Sequence, residues 1–555
     1  MNKKVISVIL SVSIIFSCFA LPAFANEDVS DKKMQTVYSV LDKVVNKLVG
    51  GIAALILSPD WTKKSDYKTP DSFLSGNSSN EFLDEADENS SWSLGYSDAS
   101  LLTGEEIGSN GDYYVGGSLT VDKKLATEQW DDQRVRTVAI SDGRGITLFT
   151  VIDCYGMANT DVRAIREQFL SQYKGSKEIT SINISALHQH SCVDTFGMNG
   201  DLVSAVFTTS LKRLFGKEVP GGQNKKYMQH LYSSAIDTMN SAVENMKTGS
   251  LYFGKVDVSS FIRDKRDPIV FDPYLNRFRF VPDDGSRQTW FVEGAIHCVG
   301  NGAGHRELTG DYPLYMQRYI DKNYDANFIY IQGAELAISD TDKTATESYA
   351  GDVRQYRDRN IDNWKKEESF NENTADIRAY GELLAQKLGS INERSENKLD
   401  PVFNIAFREC FVPIDNNILV LAAKGGLLVN NVVRTGLFKY EIVTEVGYAE
   451  FGSDTDGIAV AIIPGELAPE IAFGGTEKVL NNWTGEKWEY EPFKDVVKDR
   501  YLLVFGIAND QIGYLLSNNN WHSFFTENEE IVSTGKYAGA TIASAWIELS
   551  KTVNK

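Results

Sequence analysis

The sequence predicts an α/β fold for residues 92–555, a single large catalytic domain of mixed sheets with flanking helices. Apolar, β-branched runs bounded by turn residues read as strands: VRTVAIS, ITLFTVID, ITSINISAL, FIYIQG, NILVLAA, IAVAIIPG and YLLVFGIA. Amphipathic runs lie between many of them and read as helices: TDVRAIREQFLSQY, KKYMQHLYSSAIDTMNSAVENMK, YPLYMQRYIDKNY, TADIRAYGELLAQKL and AGATIASAWIELS. Polar residues follow several apolar runs directly: His188 and His190 after INISA, Glu466 after IAVAIIPG, Asn509 after LLVFGIA. Open α/β sheets bind ligands at such places, beyond the carboxyl ends of strands.

The chain opens MNKKVISVILSVSIIFSCFALPAFANED, with Lys3 and Lys4 before an apolar stretch and Ala23-Phe24-Ala25 as a small-x-small cleavage site. This pattern predicts a secretory signal over residues 1–25 and an extracellular, secreted protein. Phe16 and Ser17 fit a lipidation signal at Cys18 badly. Residues 26–58 read as an amphipathic helical segment, with Val37, Val40, Leu41, Val44, Val45 and Leu48 at helical spacing. Its run LVGGIAALIL is too short to span a bilayer, and Lys43 and Lys47 interrupt anything longer. Docking on the main domain is the favoured reading, and contact of residues 35–58 with a membrane surface is the alternative. Residues 59–91, rich in Ser, Asn, Asp, Glu and Lys, read as a flexible linker.

The 555 residues carry 76 Asp and Glu against 56 Lys and Arg, a net charge of -20. That balance excludes nucleic acid as a partner, because phosphates need clustered Lys and Arg. Beyond the signal lie Cys154, Cys192, Cys298 and Cys410, too few for a disulfide scaffold.

Two of the six histidines fall in SALHQHSC, two residues apart. In TSINISALHQH, Ile182, Ile184 and Ala186 share one strand face, which His188 and His190 continue if the strand persists. Buried imidazoles need partners. A metal or catalytic pair is one reading, and polar residues satisfied in the core is the other. A third histidine, His297, ends the apolar run of WFVEGAIHCVGNGAGHRELTGDYPLYMQRYI. The TGDYP stretch then opens a helix, with Asp311 in its first turn and Pro313 at a tolerated position. FIYIQGAELAISDTDK leaves a strand into a loop carrying Ser339, a Pro-Gly turn delivers Glu466 to a helix start, and VFGIANDQIGYLLS carries Tyr514. Plain structural roles exist for each: a helix-dipole carboxylate for Glu466, core packing for Tyr514, a cap or turn for Ser339. His230, His305 and His522 take the ordinary reading.

Together these motifs resemble the neutral, non-lysosomal ceramidases and their bacterial relatives, zinc amidohydrolases that split the amide of N-acylsphingosines. The family's HTHSG is similar to His188-Gln189-His190-Ser191-Cys192. Its second zinc histidine ahead of GDYP is similar to His297 ahead of Gly310-Asp311-Tyr312-Pro313. Its Q-x6-S, P-G-E and N-x-Y-x-x-Y-V segments are similar to Gln332 to Ser339, Pro464-Gly465-Glu466 and Asn509 to Leu515. The resemblance runs in the family's order from about Trp92 to the C-terminal helix. It implies a Zn2+ site of His188, His297, Glu466 and Tyr514, a metal set that leaves a position for acidified water. It implies His190 as the catalytic acid–base, and Ser339 as an active-site serine whose role as nucleophile or substrate-holding hydroxyl stays open. Alignment on Pro268 selects Arg266 beside the substrate, with Arg263 as the other choice. A lipid amide, ceramide first, is the implied substrate.

The chain departs from the family in three places. Cys192 and Cys298 replace a glycine and a proline beside the zinc histidines, so buried thiols, a disulfide or an altered metal shell are all open. Asn528-Glu529 stands where the family has Tyr-Glu. No C-terminal immunoglobulin-like domain is expected. Two other functions remain at this level: a zinc amidase on another N-acyl or peptide-like amide, and an inactive secreted binding protein of the same fold.

Overall fold

The computed structural model describes residues 32–553, except 108–112, 118–124, 199–222, 301, 303–305, 341–346, 454–456, 498 and 525–527. The predicted signal and His305 lie outside the described residues. Within them the fold is α/β with mixed sheets, as the strand and helix patterns predict.

Nine strands form the first sheet, in the order Ala326–Gln332, Gln288–Gly294, Tyr274–Pro282, Lys247–Asp257, Trp92–Ser100, Arg134–Ser141, Ile146–Ile152 and Ile179–Ala186, with Asn397–Leu399 beside Lys247–Asp257. The two outermost pairs are parallel and the interior is antiparallel. Ile146–Ile152 is buried at every residue, which accounts for its unbroken apolar sequence. Its Leu148 and Ile152 face helices Asn159–Gln172 and Lys225–Glu244, while Phe149 and Val151 face the central core. The sheet curls until its edge strand Ala326–Gln332 returns against Arg134–Ser141, Ile146–Ile152 and Ile179–Ala186.

The second sheet contains Phe403–Pro413, Lys439–Phe451, Ile458–Ile462 and Tyr501–Phe505, with Val432–Gly436 beside Lys439–Phe451. An aromatic layer joins the two sheets. Phe505 meets Phe149 and Phe291 at centroid distances of 5.7 and 5.3 Å, and Phe451 meets Phe278 at 4.6 Å. Helix Ala538–Val553 packs on the second sheet and buries Trp546, whose indole donates to the Gly447 carbonyl at 3.1 Å.

NILVLAA, predicted as a strand, is instead the start of helix Asn417–Gly425. Its length and apolar run suit either state. The caps decide: Asn416 accepts from the Ile418 amide at the N-terminus, and Gly426 takes a left-handed φ of 80° at the C-terminus.

Helix Lys32–Leu55 lies against Asn417–Gly425 and buries Tyr38, Val49 and Ala53. Gly50 permits this approach, because a Cβ there would meet Asn417 Nδ2 at 2.8 Å. Asn417 donates to Asn46 through its backbone and side-chain nitrogens, both at 2.9 Å, and Lys424 Nζ caps the helix end at the Ala53 carbonyl, 2.8 Å away. The opposite face leaves Val37, Val40, Leu41, Val44, Leu48 and Leu55 exposed. The polar 59–91 stretch, read as a linker, lies along the second sheet. The Asn77 amide donates to the Ile405 carbonyl at 2.7 Å, the Leu83 amide to Asn404 Oδ1 at 3.1 Å, and Arg144 to the Glu81 carbonyl at 2.6 Å.

Candidate metal centre

Three parallel strand pairs send their carboxyl ends to one place. Ile179–Ala186 leads to His188, Gln288–Gly294 to His297, Ala326–Gln332 to Glu335 and Ser339, Ile458–Ile462 to Glu466, and Tyr501–Phe505 to Gln511 and Tyr514. The curl of the first sheet makes this convergence possible, since the two histidine-bearing turns belong to distant strands of one sheet. Gln332 joins those turns. Its Nε2 donates to the Leu187 carbonyl at 2.9 Å and the Ile296 carbonyl at 2.7 Å, and its Oε1 accepts from the Ile296 amide at 3.2 Å. Asn509 extends the histidine strand: its Oδ1 accepts from the Ile184 amide at 2.9 Å while its own amide donates to the Ile184 carbonyl at 2.7 Å. His188, Ala337, Ile507 and Asn509 all hold positive φ, at 54°, 61°, 47° and 64°. Backbone strain of this kind persists where surrounding structure enforces it, and it gathers at functional sites.

The centre is built from paired imidazoles and one carboxylate. His188 Nδ1 donates to the Tyr155 carbonyl at 2.9 Å, and His297 Nδ1 to the Ile338 carbonyl at 2.7 Å. Each ring thus carries a hydrogen on Nδ1 and turns its Nε2 toward the centre. Each Nε2 lies 3.2 Å from Glu466 Oε2. All three residues are buried. Ligand atoms of His188, His297, Glu335 and Glu466 lie within 4.8 Å of one another, as do those of His188, His190 and His297. Burial raises the Glu466 carboxyl, but the two imidazoles outweigh it and hold it well below the usual range. Burial opposes charge on His297, yet Glu335 and Glu466 push its pKa up to about 9. The donor set could hold a metal: two imidazole nitrogens oriented by their Nδ1 hydrogen bonds, with carboxylate oxygens beside them.

His190 sits beside this set, its ring 4.7 Å from His188 and 5.7 Å from His297. Burial, then the neighbouring His188 and His297, keep its pKa well below the ordinary value, so it is a neutral base. Gly117, at φ 106°, leaves room for the His190 backbone, which a Cβ would meet at 2.4 Å. Ser339 is buried, bridged to His297 and paired in register with Arg263. Tyr514 pairs in register with Glu466 and is half-buried. Arg266 is buried, with Nη2 donating to Glu530 Oε1 and to the Asn520 carbonyl, both at 2.6 Å, and Nη1 3.5 Å from Glu529. Arg263, the other choice, is exposed.

Sequence reasoning missed Tyr155 and Glu335. The Tyr155 ring lies 4.5 Å from His188 and 5.2 Å from His190. Its signal was its place after ITLFTVID, next to the histidine strand. Glu335 was visible only as an acid in the loop after FIYIQG. Gln511 donates to Glu466 Oε1 at 2.8 Å and so orients that carboxylate. Cys192 and Cys298 are buried free thiols rather than a disulfide, and neither joins the His/Glu cluster; Cys192 Sγ donates to the Gln189 carbonyl at 2.9 Å and Cys298 Sγ accepts from Gln332 Nε2 at 3.4 Å. Tyr155, Glu466 and Gln511 also line a largely apolar pocket with Phe196, Leu419 and Ile512.

Fold and site together define a class: a mixed α/β protein with a buried imidazole–carboxylate centre able to hold a metal, opening on an apolar pocket. Its fold is that of the neutral ceramidases. The crystal structure of neutral ceramidase from Pseudomonas aeruginosa matches with a TM-score of 0.59 and 13% identity over 83% of this chain and 74% of that one. A ceramidase complexed with C2 matches with a TM-score of 0.58 and 14% identity over 84% of this chain and 76% of that one. No family model and no curated protein sequence matches the chain.

Proposed function

We propose that this protein is a secreted, zinc-dependent hydrolase that cleaves the amide bond of an N-acylated lipid, ceramide being the best candidate. The observation that carries this reading is the meeting of two imidazole Nε2 atoms on one carboxylate oxygen at the wall of an apolar pocket. The fold shared with two ceramidase structures supports it.

His188, His297 and Glu466 would hold the ion, with Tyr514 beside them. Zinc bound there supplies a Lewis acid that polarises a carbonyl and acidifies water toward neutrality. His190, neutral and adjacent, takes a proton from the attacking water. Water oxygen bonds to the amide carbon, the C–N bond breaks, and His190 returns the proton to the leaving nitrogen. Ser339, whose backbone bridges to that of His297, would hold a substrate oxygen. Phe196, Leu419 and Ile512 receive an acyl chain and exclude water. The test is mass-spectrometric product analysis with three substrates: an N-acylsphingosine, an N-acyl amino acid and a peptide. Fatty-acid release from the first alone is expected. Release only from the others would move the function to a different amide, and release from none would leave a binding protein.

The outer face of helix Lys32–Leu55 supports contact with a lipid surface. The helix packs on Asn417–Gly425, whose Leu419 and Ala423 line the pocket, while its own Val37, Val40, Val44 and Leu48 remain exposed. An apolar stripe with Lys43 and Lys47 nearby suits the interface of a bilayer.

A further inference from the structure

Glu335 is a charged group of the centre to which the resemblance assigns nothing. It lies in the turn between Gln332 and Ser339 and is fully buried. Neither carboxylate oxygen has a hydrogen-bond partner among the described residues. Oε2 lies 3.6 Å from His297 Nδ1, whose hydrogen already goes to Ile338. A ligand oxygen of Glu335 lies within 4.8 Å of the ligand atoms of His188, His297 and Glu466.

A buried carboxylate with no hydrogen-bond donor, its nearest cationic partner a histidine 3.6 Å away, is costly, and proteins retain such groups where a cation or a function compensates. Metal ligation by Nε2 requires both imidazoles neutral, and the two carboxylates then sum to a charge of about −2, which one divalent ion cancels. We propose that Glu335 is itself a protein ligand of the metal, completing a set of two histidines and two glutamates with His188, His297 and Glu466. This rests on the metal reading given above. A carboxylate coordinates at neutral pH without the loss of a phenol proton that Tyr514 would require. The turn carries the carboxylate inward because Ala337 takes a left-handed φ of 61° and Ile338 binds back to His297.

The test uses the full chain stripped of metal, with zinc affinity measured by competition against a chromophoric chelator and visible spectra recorded with cobalt. Glu335→Gln keeps the shape and removes the charge. It should weaken zinc binding by more than about 100-fold, beyond the 10–100-fold loss usual for groups behind a ligand, and should alter the cobalt bands. Tyr514→Phe should change affinity by less than about 10-fold. Glu335→Asp, which withdraws the carboxylate by one methylene, gives the same readout if the Gln variant fails to fold, and should also weaken binding. A smaller loss with unchanged cobalt bands would overturn the ligand assignment. If the wild-type chain takes up neither zinc nor cobalt, the metal reading itself falls.

Discussion

His188 and His190 are neighbours on one strand end with different work. His188 has its Nδ1 tied to Tyr155 and its Nε2 aimed at Glu466, whereas His190 sits neutral against both other rings. His297→Ala removes one arm of the centre, so metal content and hydrolysis should fall together, read by metal analysis and product assay. Full metal occupancy in that variant would contradict its role. His190→Ala should keep the metal and lose about 10²–10⁴ in rate. Loss of metal there would make His190 a ligand. These histidines were legible as a close pair directly after a buried strand, but not by alternation: the strand ends at Ala186, His188 turns at φ 54°, and His190 is half-buried. Glu335 and Tyr155 were not, because an isolated acid or ring after a strand has no pattern of its own, and only the sheet's curl brings it to the site. Asn509 was flagged as a ligand-side residue, yet it pairs with Ile184 and holds the histidine strand.

At the scale of elements, caps and contacts decided what periodicity left open. Asn416 and Gly426 made NILVLAA a helix, and the Asn417–Asn46 bonds seat Lys32–Leu55 upon it. The polar composition of 59–91 hid the backbone hydrogen bonds it makes along the second sheet. Asp42 contributes a pH-dependent contact to the docked helix. It accepts from Ser523 Oγ at 2.8 Å and from the Phe524 amide at 3.2 Å, and burial outweighs these bonds to raise its pKa from 3.8 to about 7. The folded state therefore holds this proton more tightly than the unfolded state. The stability it adds is full below about pH 4 and is lost as pH rises through about 7. Asp42→Asn should flatten the fall in melting temperature between about pH 5 and about pH 8. An unchanged pH profile would mean the group does not titrate in that window.

Over the whole molecule, one curled sheet brings two histidine turns together, and a second sheet adds the glutamate. The fold class was readable because strands and helices punctuate the sequence clearly. The strand order was not, because chain order says little about which edges of a nine-stranded sheet meet. The docked helix then sets the exposed apolar stripe beside the helix that lines the pocket. Changing Val40, Val44 and Leu48 to Ser should reduce co-sedimentation with phospholipid vesicles and leave the melting temperature nearly unchanged, because that face is exposed rather than packed. Undiminished sedimentation would remove the membrane role.

A crystal of the zinc-loaded full chain, measured across the zinc absorption edge, tests the centre most directly. One anomalous peak is expected within ligand distance, roughly 2.0–2.2 Å, of His188 Nε2, His297 Nε2 and Glu466. Active, zinc-containing protein whose anomalous peak lies away from these three residues would contradict the assignment.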